Sequence, residues 1–179
     1  MNPVSRAHAL RTRLLRADEA LLLRIGRLRA PLATRVMRAF THLGDAESWL
    51  AIGLVLLASG GPGRGLAVRL LTSAGFGALA AQPVKRLSSR SRPHIGIADY
   101  EALAESPDAF SFPSGHTATA VAVAVAFAGH GDFLGTVTAM LAIGIGASRV
   151  YLGAHYPLDV AAGALLGVAG GLLARAIFG

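Results

Sequence analysis

Apolar residues gather in long runs along this chain, separated by short polar or glycine-containing breaks. The first run is residues 46–60, AESWLAIGLVLLASG, with Trp49 near one end, where a membrane–water boundary would fall. After the turn GGPG, residues 64–84 form a second run, rich in small residues that let helices approach closely. Arg69 interrupts this run near enough to one end for its charge to snorkel out. Residues 114–129 and 132–149 form a third and a fourth run, joined by GHGD, and residues 156–178 form a fifth. The pattern predicts an all-α integral membrane bundle, with a polar loop over residues 85–113.

Residues 1–45 follow another pattern. They hold nine arginines, at positions 6, 11, 13, 16, 24, 27, 29, 35 and 38. Leu21, Leu22, Ile25 and Leu28 recur at helical spacing, with Arg24 and Arg27 between them. This predicts an amphipathic helix lying on the membrane surface, ended by Pro31 and followed by a second short helix. The chain therefore divides into a basic interfacial segment, 1–45, and a transmembrane domain, 46–179. Five arginines within 17–43 argue against an unaided sixth span. The expectation is a bundle of five to six transmembrane helices, the sixth only if the N-terminal segment crosses the membrane; it could also pair with residues 46–60 as a re-entrant hairpin.

Composition narrows the class further. The chain of 179 residues is 53% hydrophobic and 15% charged, with a net charge of +7 carried almost wholly by arginine; Lys85 is its one lysine. In so apolar a chain an arginine excess points to anionic lipid headgroups and membrane orientation, not to nucleic acid. The absence of cysteine removes disulfides, thiolate-bound zinc and a thiol nucleophile. No secretory signal is expected, because arginines break the first apolar cluster and no cleavage pattern follows.

The polar residues fall into three clusters. Lys85, Arg86, Arg90 and Arg92 follow the second run. Pro113, Ser114, Gly115 and His116 open the third. Ser148, Arg149, His155 and Asp159 lie between the fourth and fifth. No span separates the first cluster from the second, and two separate the second from the third, so all three share one side of the membrane. Ionisable residues converging at span ends mark a site.

Lys85, Arg92 and Arg149 supply fixed cations, and Ser114 supplies a hydroxyl. The amides of Gly115 and His116 sit at a helix N-terminus, which favours an anion. Arginine suits phosphate oxygens in forked geometry. His155 and Asp159 stand four apart, on one helix face, so Asp159 can hold the ring and free its other nitrogen for attack. His116 is left to protonate a departing oxygen. Two histidines in these roles transfer phosphate without metal or other cofactor.

Three segments carry a family resemblance: KRLSSRSRP (85–93), PSGH (113–116) and SRVYLGAHYPLD (148–159). Together they resemble the type 2 phosphatidic acid phosphatase superfamily, whose pattern is K-x6-R-P, P-S-G-H and S-R-x5-H-x3-D, over roughly residues 46–178. The resemblance implies Lys85, Arg92, Arg149, Ser114 and the Gly115 amide as phosphate ligands. It implies His155 as the nucleophile that forms a phosphohistidine, His116 as general acid and Asp159 as the partner of His155.

The expected function is metal-independent hydrolysis of a lipid phosphate: phosphatidic acid, phosphatidylglycerol phosphate, polyprenyl diphosphate or a similar molecule. A lipid phosphotransferase and a non-catalytic lipid-phosphate binder or transporter are the competing readings; pure binding would need neither a nucleophile nor an acid. Arg86 and Arg90 are expected to serve only as membrane-orienting charges, and His94 to face solvent or headgroups. Tyr151 and Tyr156 are expected in an aromatic belt, and His130 and Asp132 in a turn. Asp99, Glu101, Glu105 and Asp108 are expected in a solvated loop, and Gly144, Gly146, Gly163 and Gly167 in helix packing. The arginine-rich N-terminus places itself, and with five spans the site, on the cytoplasmic face of a bacterial plasma membrane.

Overall fold

The computed structural model describes residues 3–104, 110–129 and 132–178. Among these residues the protein is helical, with one isolated bridge between Ser91 and Phe110. The helices are α1 (Pro3–Gly26), α2 (Pro31–Leu43), α3 (Ala46–Ala58), α4 (Gly61–Leu87), α5 (Pro93–Gly96), α6 (Gly115–Phe127), α7 (Asp132–Tyr151) and α8 (Pro157–Phe178). Each of the five apolar runs became one helix. Glu105, Asp108 and His130 lie outside the described residues; Asp99 and Glu101 are exposed, and Asp132 begins α7.

Two segments, Phe133–Tyr151 and Pro157–Phe178, are long and apolar enough to cross a membrane; Ala46–Ala58 and Gly115–Phe127 are apolar but shorter. Helix α4 has 27 residues, about 40 Å at 1.5 Å per residue, and carries Arg64, Arg69, Lys85 and Arg86 near its ends. Arg69 does not reach solvent alone. It donates to the carbonyls of Ala126 and Phe178, at the C-terminal ends of α6 and α8, where helix carbonyls lack partners.

Helices α4, α6 and α8 form the centre of the bundle. Gly163, Gly167 and Gly171 recur every four residues along α8 and so face α6 as one stripe. A Cβ on them would lie 2.4, 2.5 and 2.6 Å from the carbonyl oxygens of Ser114, Ala118 and Ala122. Only glycine allows this approach, and it brings the start of α6 against the start of α8. Gly144 and Gly146 also pack: a Cβ on Gly144 would strike the ring of Phe40.

The arginine-rich segment forms the expected two helices, but their inner faces meet protein. Leu22 is fully buried and clusters with Val150 and Tyr156. Arg29 donates to the carbonyls of Tyr151 and Glu101 and to the hydroxyl of Tyr100, and the amide of Ala30 donates to the hydroxyl of Tyr151. Tyr151 and Tyr156 are therefore buried anchors for the N-terminal segment, which corrects their expected place in an aromatic belt. An apolar ring with one polar atom suits either setting, and here the hydroxyl of Tyr151 found a backbone amide. Trp49 likewise turns inward, into the core that α3 shares with α4 and α6. His94 is exposed, as expected.

Candidate active site

Five helix ends bring the expected residues together. Lys85 sits in the last turn of α4. Arg92, nearly fully buried, precedes Pro93 at the start of α5 and donates to the carbonyl of Ala154 at 2.9 Å. Arg149, also buried, lies in the last turn of α7 and donates to the hydroxyl of Thr41. Its carbonyl accepts the amides of Ala154 and His155, and Gly153 turns the chain between them at φ 79°.

At the mouth of α6 the two halves of PSGH behave differently. Ser114 is fully buried, and its Oγ accepts from the amide and hydroxyl of Thr117, so it is the N-cap of the helix. Gly115 and His116 face a cavity. Asp159 occupies the third position of α8 behind Pro157 and reaches back to the amide of Tyr156 at 2.9 Å, the reciprocal half of a capping box.

His155 is held by a backbone group. Its Nδ1 lies 2.6 Å from the carbonyl of Ser111, which can only accept, so Nδ1 carries the proton. Asp159 faces the same nitrogen at 3.7 Å, beyond hydrogen-bond reach. The lone pair therefore sits on Nε2, 3.3 Å from Nη1 of Arg92. Burial pulls the ring's pKa down, aided by Arg149 and Arg92 and opposed by Asp159, to about 4. At neutral pH His155 is uncharged, with the guanidinium of Arg92 beside its free nitrogen.

Lys85, Arg92, Gly115, His116, Arg149 and His155 line one end of a cavity of about 460 Å³; Ser114 and Asp159 stand behind this lining. The rest of its wall is mostly apolar, with Trp49, Leu50, Leu71, Ala74 and Ala78 of α3 and α4, and Gln82 and Thr119 as its further polar side chains. On the far side of His116 and Arg149 a second cavity opens among Arg38, Thr41, His42 and Leu103.

Four contributors went unnoticed in the sequence. Thr41 binds Arg149. Asp45 accepts from Nε2 of His116 at 2.8 Å. Arg90 donates to Asp159 at 2.7 Å and to Asp18 at 2.6 Å, and stacks on the ring of Tyr156 with its carbon 3.9 Å from the centroid. Asp18, in turn, accepts from the amide of Leu158 in the first turn of α8. The expectation that Arg90 only orients the membrane is thus corrected: two buried carboxylates fix it in place.

Three cationic side chains thus meet two histidines on the wall of a largely apolar cavity. Residues 66–179, well over half of the chain, match the PAP2 superfamily, and the chain belongs to that superfamily. It is 32% identical over 168 residues to phosphatidylglycerophosphatase B of Bacillus subtilis (strain 168), covering 85% of this chain and 78% of that one. It is 35% identical over 150 residues to decaprenylphosphoryl-5-phosphoribose phosphatase of Mycobacterium tuberculosis (strain ATCC 25618 / H37Rv), covering 79% and 78%. The fold is similar to the crystal structure of a transmembrane PAP2 type phosphatidylglycerolphosphate phosphatase from Bacillus subtilis, with a TM-score of 0.75 and 27% identity over 92% of this chain and 85% of that one. The protein is a membrane lipid phosphatase.

Proposed function

We propose that the protein hydrolyses a phosphate monoester or diphosphate of a membrane lipid through a phosphohistidine on His155. The observation that carries this reading is the lone pair of His155 Nε2, turned toward the guanidinium of Arg92 at the polar end of an apolar groove. Lys85, Arg92 and Arg149 and the amide of Gly115 hold the phosphate oxygens; Ser114 aims that amide by capping α6. As Nε2 forms its bond to phosphorus, the bond to the lipid oxygen breaks and His116 gives that oxygen a proton. Water then attacks the phosphohistidine, returning its proton to His116 and freeing phosphate. Asp159 acts electrostatically at 3.7 Å, favouring the positive charge His155 acquires.

The lipid tail lies along Trp49, Leu50, Leu71 and Ala74. The relatives' names cover a phosphatidylglycerophosphate and a decaprenyl lipid, so the shared phosphate site leaves the tail open. Helices α3, α4, α6, α7 and α8 make five crossings, and residues 1–45 lie at the surface on the side of the site. Contacts of Thr41 and Asp45 with Arg149 and His116 support that placement. Nine arginines before residue 46 put this side in the cytoplasm, at the plasma membrane of a bacterium.

Phosphate release from phosphatidic acid, phosphatidylglycerol phosphate and a polyprenyl diphosphate, measured in detergent with EDTA, tests the reading. Release from at least one should persist without divalent cations. An absolute requirement for a divalent cation rejects the two-histidine chemistry.

A further inference from the structure

We propose that Asp45 is the positioning residue of His116, a role that rests on the reading of His116 as general acid given above. Asp45 lies between α2 and α3, outside residues 66–179 that match the superfamily. Its Oδ1 meets Nε2 of His116 at 2.8 Å and its Oδ2 meets Nδ1 of His42 at 3.1 Å.

The contact is built into the backbone. Asp45 stands at the N-cap of α3, where an aspartate ordinarily accepts from the amides of the first turn. Here the side chain makes no such bond; the backbone carbonyl alone accepts the amides of Ser48 and Trp49. Both carboxylate oxygens are turned to imidazoles instead. Gly44, just before it, is buried, and a Cβ there would lie 3.1 Å from Cδ2 of His116 and 2.8 Å from Cγ2 of Ile145. The glycine lets the turn sit directly on the histidine. Burial works against the charge on Asp45, but the bonds and charges of His116 and His42 outweigh it and hold the carboxyl below its ordinary pKa. Asp45 is therefore a carboxylate at neutral pH.

The consequence for the reaction follows from the proton count. Nε2–H of His116 is committed to Asp45, so Nδ1 is the nitrogen left to serve the departing oxygen. When the phosphorus–oxygen bond breaks, Nδ1–H passes to the lipid oxygen. His116 becomes the neutral tautomer that keeps Nε2–H on Oδ1. In the second step Nδ1 takes a proton from the attacking water. Asp45 stays ionised throughout, fixes which nitrogen works and favours the protonated ring where Lys85 and Arg149 oppose it. Three fixed cations suit the phosphate but disfavour a protonated acid beside them, and this carboxylate is the charge that works against them.

The test compares two substrates in the full-length protein: a phosphorylated lipid, whose alkoxide needs a proton to leave, and 4-nitrophenyl phosphate, whose phenolate does not. Asp45→Asn, close to isosteric, should slow the lipid by roughly 10- to 100-fold, within the range general acid catalysis supplies. It should change the aryl phosphate by less than about threefold. Equal loss on both substrates would make Asp45 a mere tie between segments and overturn the proposal, as would no loss on either. His116→Ala is measured in parallel. If it shows the leaving-group split and Asp45→Asn does not, only the role of Asp45 falls. If His116→Ala shows no split, the acid assignment itself falls and the proposal with it.

Discussion

Nη1 of Arg90 donates to Oδ1 of Asp159 at 2.7 Å, and that bond ties the carboxylate facing His155 to the rest of the protein. Through its second amino group the same guanidinium reaches Asp18 on α1. A surface helix, a loop arginine and the first turn of α8 thus form one ionic chain behind His155.

Removing Arg90 strands two buried carboxylates. Arg90→Ala should lower stability by about 3–5 kcal/mol, the usual cost of breaking one side of a buried pair. Arg90→Lys should fall between, since lysine keeps the charge but loses the fork and the stacking on Tyr156. Arg86 is exposed, and Arg86→Ala should leave stability unchanged. Denaturation in mixed micelles measures all three; equal stability of Arg90→Ala and Arg86→Ala would contradict the role of this chain.

Arg90 also shows where the sequence stops being informative. One residue separates it from Arg92 and the residue type is the same, yet only Arg92 falls on the motif, and Arg90 looks like membrane-orienting charge. Their difference lies in partners 69 and 63 positions away. The apolar runs were legible because five helices keep one composition over their length. The site motifs were legible because their spacing places them at helix ends. The leucines of α1 announced an amphipathic helix, yet an apolar face reads alike whether lipid or Tyr156 covers it. Thr41 and Asp45 gave no local signal, because they meet Arg149 and His116 across 108 and 71 residues. Asp159 was read as the direct holder of His155; the carbonyl of Ser111, a backbone atom with no side-chain signature, stands at hydrogen-bond distance instead.

His155 should stay neutral through the physiological range. Its pKa is pulled down to about 4 by burial and by Arg149 and Arg92, so the free lone pair on Nε2 is present above that value and lost as the pH falls through it. Ring nitrogen shifts of 15N-histidine-labelled protein, assigned with His155→Gln, should show no titration of this ring between pH 5 and pH 8, the window around the ordinary histidine value near 6.5. A midpoint near 6.5 would mean that the ring is neither buried nor flanked by charge as described.

The orientation can be read with single cysteines, since the chain has none of its own. Ala98 lies in the exposed loop beside the site and Ser59 in the turn after α3, at the opposite end of the bundle. Ser59→Cys should react with a membrane-impermeant thiol reagent in intact cells. Ala98→Cys should react only after the cells are opened. The opposite pattern would put the site on the outer face and require the N-terminal segment to cross.

The proposed reaction stands on a phosphate bond to Nε2 of His155. The most direct measurement is rapid acid-free denaturation of the protein during turnover of a lipid labelled with ³²P in its terminal phosphate, followed by peptide mapping. The wild type should retain label that is stable in base and labile in acid, confined to the peptide containing His155. His155→Ala should carry no label and lose several orders of magnitude in turnover, as removal of a nucleophile does elsewhere. Near-normal turnover in His155→Ala, or label on another residue, would contradict the account.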